Sequence, residues 1–135
     1  MTTHHAILWI DHNSARMLAL DVEGTSFHEL GHVHSHDEKT HPKKFGGHRH
    51  PADARFVSDV EALLARCDFA VVVGPGAAKD ELVAHLEHTR SPLRKKIVAV
   101  SPIDRETDGE LAAHAREVFR SSDHMKGIHV DTHGA

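Results

Sequence analysis

The chain has 135 residues, 39% of them hydrophobic and 27% charged, with a formal net charge of −4 at pH 7. That length fits one domain with a real core and leaves no room for a second, and no stretch approaches the ~18 apolar residues of a membrane span. A lone cysteine, Cys67, excludes an internal disulfide and fits a reducing compartment; residues 1–5 lack the basic start and apolar run of a secretion signal, so the cytoplasm is the expected location.

The first apolar run, Ala6-Ile7-Leu8-Trp9-Ile10, ends in the turn cluster Asp11-His12-Asn13-Ser14. A second run covers residues 15–20, and Asp21-Val22-Glu23-Gly24-Thr25 makes the next turn. Residues 26–33 alternate polar and apolar around Phe27 and Leu30. Short strands joined by tight turns predict an antiparallel meander.

A polar loop over residues 34–50 follows, too long for a mere connector in a compact domain. Seven of the sixteen histidines lie within residues 28–50. The loop closes on the run His41-Pro42-Lys43-Lys44-Phe45-Gly46-Gly47-His48-Arg49-His50. Residues 39–50 hold three lysines, one arginine and no acid, in a chain whose net charge is −4. Positive charge gathered on one loop of a mildly acidic domain suits a phosphate-rich partner. Two adjacent glycines let the backbone come close to it. Aromatics make up only 4%, with no tyrosine, so nucleic-acid contact here is expected to be electrostatic, without stacking platforms.

From Pro51 the period changes. Phe56, Val57, Val60, Leu63 and Leu64 fall on one face of a helix, with Pro51 suited to its first turn. Residues 69–73 read as a buried strand ending in Gly74-Pro75-Gly76, a tight strand-to-helix turn. A second helix carries Leu82, Val83 and Leu86, and residues 97–100 form a fifth strand. Thr107 or Asp108 caps a third helix whose inward face is Leu111, Ala115, Val118 and Phe119. Residues 1–120 make the domain, and residues 121–135, without a period, read as a flexible tail. The order β-β-β-α-β-α-β-α implies an α/β fold. Its mixed five-stranded sheet has the order 3-2-1-4-5 with three helices on its faces, the ribonuclease-H-like arrangement.

Residues 6–120 resemble the middle domain of eukaryotic and archaeal class-1 peptide release factors and of Pelota. The chain looks like a small bacterial stand-alone relative, of the kind called translational machinery proteins. The opening strand 6–11, the loop Pro42-Lys43-Lys44-Phe45-Gly46-Gly47-His48, the segment Val71-Val72-Val73-Gly74-Pro75-Gly76-Ala77-Ala78-Lys79-Asp80-Glu81-Leu82 and Asp108-Gly109-Glu110-Leu111 carry the resemblance. It implies that Gly46 and Gly47 match the glycines of the release factors' Gly-Gly-Gln loop, and that Lys43 and Lys44 match basic residues approaching ribosomal RNA. His48 stands where those factors have the glutamine that helps place the hydrolytic water. A histidine presents no neutral amide, and Pelota-type proteins keep the domain without the motif, so a non-hydrolytic role is expected. The stop-codon-reading domain has no counterpart here, and decoding is not expected.

Other constellations compete. His32, His34 and His36 alternate, so an extended segment points all three to one face. With His48 and His50 they offer nitrogen donors for zinc or nickel, against which stands scattered uptake by surface imidazoles. Asp37 and Glu38 are candidate oxygen ligands. Asp11 and Glu61 suggest half of a nuclease's carboxylate cage, but the fourth strand ends in Gly-Pro-Gly with no acid, and Asp11 reads better as a turn residue. Gly74 to Lys79 lacks the full pattern of a nucleotide loop. Trp9 reads as core, and His85, His88 and His114 as solvated helix faces.

The expected function is therefore that of a translation-related protein that associates with the ribosome. It would bind rRNA or tRNA through Lys39, Lys43, Lys44, Gly46, Gly47, His48 and Arg49, with no cofactor and no membrane partner. One rival is a peptidyl-tRNA hydrolase in which His48 handles water. The other is a histidine-rich metal-binding protein using His32, His34, His36, His48 and His50.

Overall fold

The apolar run at residues 6–10 becomes the middle strand of a five-stranded sheet ordered β3-β2-β1-β4-β5. The computed structural model describes residues 3–21, 26–35, 51–103 and 107–130, with backbone alone for 3, 51–53 and 122–130. In chain order the elements are β1 (Thr3–Ile10), β2 (Ser14–Leu20), β3 (Phe27–His34), α1 (Pro51–Leu64), β4 (Cys67–Val73), α2 (Ala78–His88), a 3-10 turn (Pro92–Lys96), β5 (Ile97–Ser101) and α3 (Asp108–Val130). The strand order and the three helices are those expected from the sequence.

β1 pairs antiparallel with β2, from His5 opposite Leu20 to Ile10 opposite Ala15. On its other side it pairs parallel with β4, from Thr3 opposite Cys67 to Trp9 opposite Val73. Both faces of this pair are covered, which is why β1 and β4 read as unbroken apolar runs and not as alternating ones. Ala6, Leu8, Ile10, Ala70 and Val72 face a core closed by Phe56, Val57, Val60, Leu63 and Leu64 of α1 with Leu82 and Leu86 of α2. Ile7, Val71 and Val73 face the opposite way, onto Leu111, Ala112, Ala115 and Phe119 of α3. Trp9 packs against that second core, partly buried.

Local chemistry sets the element ends. Of the two candidate caps of α3, Thr107 is the one used: its Oγ1 accepts the Glu110 N–H at 3.1 Å, while Glu110 Oε1 accepts the Thr107 N–H at 2.9 Å. That reciprocal pair is a capping box, satisfying two otherwise orphaned donors. The backbone of α3 continues to Val130, past Ser121, where the apolar period of the sequence ends. The 3-10 turn has no apolar signature; Ser91 caps it by accepting the Leu93 N–H, with Pro92 opening it. Among the described residues no helix is long and apolar enough to cross a membrane.

Gly74 ends β4 with φ +149°, and a Cβ there would collide with the Ile10 carbonyl oxygen. Gly76 follows at φ +66°. The two glycines turn the chain from strand into α2 while β4 stays pressed on the end of β1. Gly74→Ala is expected to destabilise the protein by more than about 2 kcal/mol, since it adds a backbone clash to an unfavourable φ; urea denaturation measures it.

Cys67 is fully buried at the start of β4. Burial pushes its thiol from 9.0 up to about 11, with Lys96 opposing and Asp68 reinforcing the shift. The folded thiol therefore stays protonated where the unfolded chain's ionises. Its contribution to stability should be whole below pH 9.0 and decline as pH rises through about 11. Cys67→Ala should flatten that alkaline decline in a pH series of melting curves.

Candidate functional site

Residues 36–50 lie outside the described residues, so Lys39, Lys43, Lys44, Gly46, Gly47, His48 and Arg49 are not placed, nor are His36 and His50. The two points from which this loop is held are described. β3 ends with His34 opposite Ser14, at the carboxyl end of β1. The Ser35 N–H then donates to the Asn13 carbonyl at 2.7 Å. α1 begins at Pro51 and its far end leads into Cys67, which lies opposite Thr3. Its first turn is therefore also at the carboxyl end of β1. In open α/β sheets, this is the end at which functional loops and ligand sites gather.

The loop's departure point rests on a turn fixed by Asp11. Its Oδ1 accepts the N–H groups of Asn13 and Ser14, both at 2.8 Å. The Asp11 N–H in turn donates to the Ser14 carbonyl at 2.9 Å. The carboxylate is thus used as a turn residue, as its place in the sequence suggests.

Two half-buried pairs tie α2 to its neighbours, one near each end of that helix. His12 Nε2 lies 3.0 Å from Glu81 Oε1, joining the β1–β2 turn to the first turn of α2. His85 Nε2 lies 3.2 Å from Glu61 Oε2, joining α2 to α1. Glu81 and His85 are four residues apart, on one face of α2. The expectation that His85 is merely solvated is corrected: it is a bridging group. The i, i+4 spacing was visible in the sequence, but the partners on other elements were not. Glu61 and Asp11 are each engaged elsewhere and do not form a shared carboxylate cage. His114 also has a partner, Ser101 Oγ at 3.3 Å, while His88 is exposed.

On the α3 side of the sheet, Arg16 Nη2 donates to Asp108 at 2.8 Å and to Glu29 at 3.2 Å. The hydrogen bond to Asp108 pushes the guanidinium pKa upward against the effect of burial, and Glu29 adds to the rise. The group ties β2 to β3 and to the start of α3. Opposite Arg16 sits His32. The rings of His32 and His34 meet with centroids 4.3 Å apart, tilted by 50°, both residues exposed. Of the five candidate metal ligands, these two are brought together on one face of β3. Among the described residues no group of three or more histidines, cysteines or acids can hold a metal ion. Lys79, buried at the start of α2, donates its Nζ to the Gly76 carbonyl within its own turn.

With this geometry established, comparison with known proteins is informative about the fold. No family model matches the sequence, and no curated protein matches it either. Among solved structures, Pelota of Thermoplasma acidophilum is similar at 15% identity and a TM-score of 0.59, over 89% of this chain and 39% of that one. Pelota of Archaeoglobus fulgidus is similar at 16% identity and a TM-score of 0.58, over 99% of this chain and 39% of that one. The archaeal translation termination factor aRF1 matches at 14% identity and a TM-score of 0.50, over 95% and 40%. The chain has the fold of a segment of these factors. It spans about two fifths of their length, 39% to 40%. The resemblance read from the sequence is borne out as a likeness of fold.

Asp11→Ala removes two charge-assisted bonds to the backbone. It is expected to lower stability by about 1–2 kcal/mol. The amides of Asn13, Ser14 and Ser35 should exchange faster in the variant than in wild type, by a larger factor than the amides of β4. Equal protection in variant and wild type would show that the turn does not depend on this carboxylate.

Proposed function

We propose that the protein is a translation-related, ribosome-associated domain of the Pelota and release-factor type. It binds RNA through the basic Gly-Gly-His loop and does not itself hydrolyse peptidyl-tRNA. The observation that supports this reading most is the fold shared with two Pelota structures and with a translation termination factor. The sequence adds the chemistry: an acid-free segment over residues 39–50 containing Lys39, Lys43, Lys44 and Arg49. In the chain the segment lies between β3 and α1, and the end of β3 and the first turn of α1 are at the carboxyl end of the central strands.

Phosphate contacts by the four cations would supply affinity without sequence preference. Gly46 and Gly47 would allow the backbone to approach the partner closely. His48 differs from a catalytic amide, and general-base action would require it to be neutral and fixed beside the ester bond. Paired glycines give reach at the cost of order. Hydrolysis of free peptidyl-tRNA is therefore not part of this reading.

Replacing Lys43, Lys44 and Arg49 together by alanine should weaken pelleting with purified ribosomes. It should also make the dependence of log affinity on log salt shallower by about 2, as expected for three lost contacts to RNA. Unchanged binding at matched salt would remove the loop from the interface. Peptide release from stalled ribosomes that disappears in His48→Ala, with binding intact, would instead make the protein a hydrolase.

A further inference from the structure

The end of the sheet opposite the Asp11 turn carries a concentration of positive charge. No acid occurs between Glu87 and Asp104, and this stretch contains Arg90, Arg94, Lys95 and Lys96. Folding places all four around the C-terminus of α2 and the 3-10 turn, at the amino ends of β4 and β5. Two are fixed by the fold. Lys96 Nζ donates to the Cys67 carbonyl at 2.6 Å, and Arg94 donates to Glu87 at 3.0 Å and to the Ile97 carbonyl at 3.3 Å. The other two, Arg90 and Lys95, are exposed, and neither side chain has a hydrogen bond or ion pair among the described residues. The nearby acids are few: Glu87 is taken by Arg94, and Asp68 by His4 at 3.0 Å.

Arg90 adds an independent observation. Its φ is +56°, a left-handed conformation at the residue that follows the last turn of α2. Glycine is the usual occupant of such a position, because a Cβ there costs about 1 kcal/mol. An arginine is held in an unfavourable backbone state with its head group unpaired. Favourable interaction with the α2 dipole accounts for a cation at this helix end. It does not account for Lys95, which lies on the 3-10 turn and has no side-chain partner among the described residues.

We infer that this face, formed by Arg90, Arg94, Lys95 and Lys96, is a second binding surface for the phosphate backbone of RNA. The proposed function supplies the class of partner on which this rests, but none of the residues. A membrane surface fits less well, because insertion needs exposed apolar groups. The exposed large hydrophobics among the described residues are Phe27, on β3, and Val100, near the carboxyl end of β5. Docking to an acidic protein commonly centres on a buried aromatic or aliphatic anchor, and this face offers none.

The test uses the full chain, a labelled single-stranded RNA of about twenty nucleotides, purified ribosomes, and vesicles of mixed neutral and anionic lipid. Arg90→Gly relieves the backbone while removing the charge, so it should melt no lower than wild type. Combined with Lys95→Ala, it should weaken RNA binding about five- to tenfold at low salt and make the salt slope shallower by about 1.4, the value for two lost single-strand contacts. The Lys43, Lys44 and Arg49 triple variant is measured alongside. Loss in the triple variant with wild-type affinity and slope in Arg90→Gly/Lys95→Ala would overturn this inference and leave the loop reading standing. Loss in both variants supports both. No RNA binding by wild type overturns both. Loss of vesicle binding without loss of RNA binding would replace RNA by a lipid surface and also overturn the inference.

Discussion

Everything in this domain depends on β1 being hydrogen-bonded on both edges and buried on both faces. Ile7, Leu8 and Ile10 have no exposed surface, and they point alternately into the two cores. A strand in that position must be apolar throughout and must find helices on either side. The parallel partner β4 then requires a crossover, which α1 provides, and β5 requires another, which α2 provides. The tightest point is where β4 leaves the sheet. Gly74 lies against the Ile10 carbonyl so closely that no side chain fits. That approach fixes the ends of both strands, and with them the level at which the Asp11 turn and the start of α2 meet.

The carboxyl end of the sheet is stiffened by polar contacts, each modest in itself. Half-exposed ion pairs contribute little to stability singly. Their value here is positional: at the carboxyl end His12 with Glu81 and Arg16 with Asp108 and Glu29 connect the β1–β2 turn, β2, β3, α2 and α3, while His85 with Glu61 ties the last turns of α2 and α1. Such a frame fixes the Asp11 turn, which holds Ser35 through the Asn13 carbonyl.

Much of this was legible because it followed from periodicity. The unbroken runs at residues 6–10 and 69–73 announce doubly covered strands, and Phe56, Val57, Val60, Leu63 and Leu64 announce the buried side of α1. The glycines at 74 and 76 marked a turn, and the structure shows the clash that requires the first of them. Pairings across distant elements were not legible. Nothing in a linear pattern tells that His12 will find Glu81, or that His85 will find Glu61 and not water. The 3-10 turn at Pro92–Lys96 was also silent, since it has no apolar face and depends on a local cap from Ser91. The loop was conspicuous for its composition, but composition conveys charge and reach and says nothing of geometry. Of the five candidate metal ligands, His32 and His34 are among the described residues, and their rings meet on β3.

The sheet also separates charge along its own axis. β4 has seven residues, which at ~3.3 Å each span about 20 Å from the basic amino end to the end where the loop is anchored. That distance exceeds the Debye length of about 8 Å at physiological salt, so Arg90, Arg94, Lys95 and Lys96 scarcely feel the charges of Arg16, Asp108 and Glu29 at the other end. The strand pair that sets the register of the sheet thus also keeps its basic amino end electrostatically apart from the polar contacts at its carboxyl end.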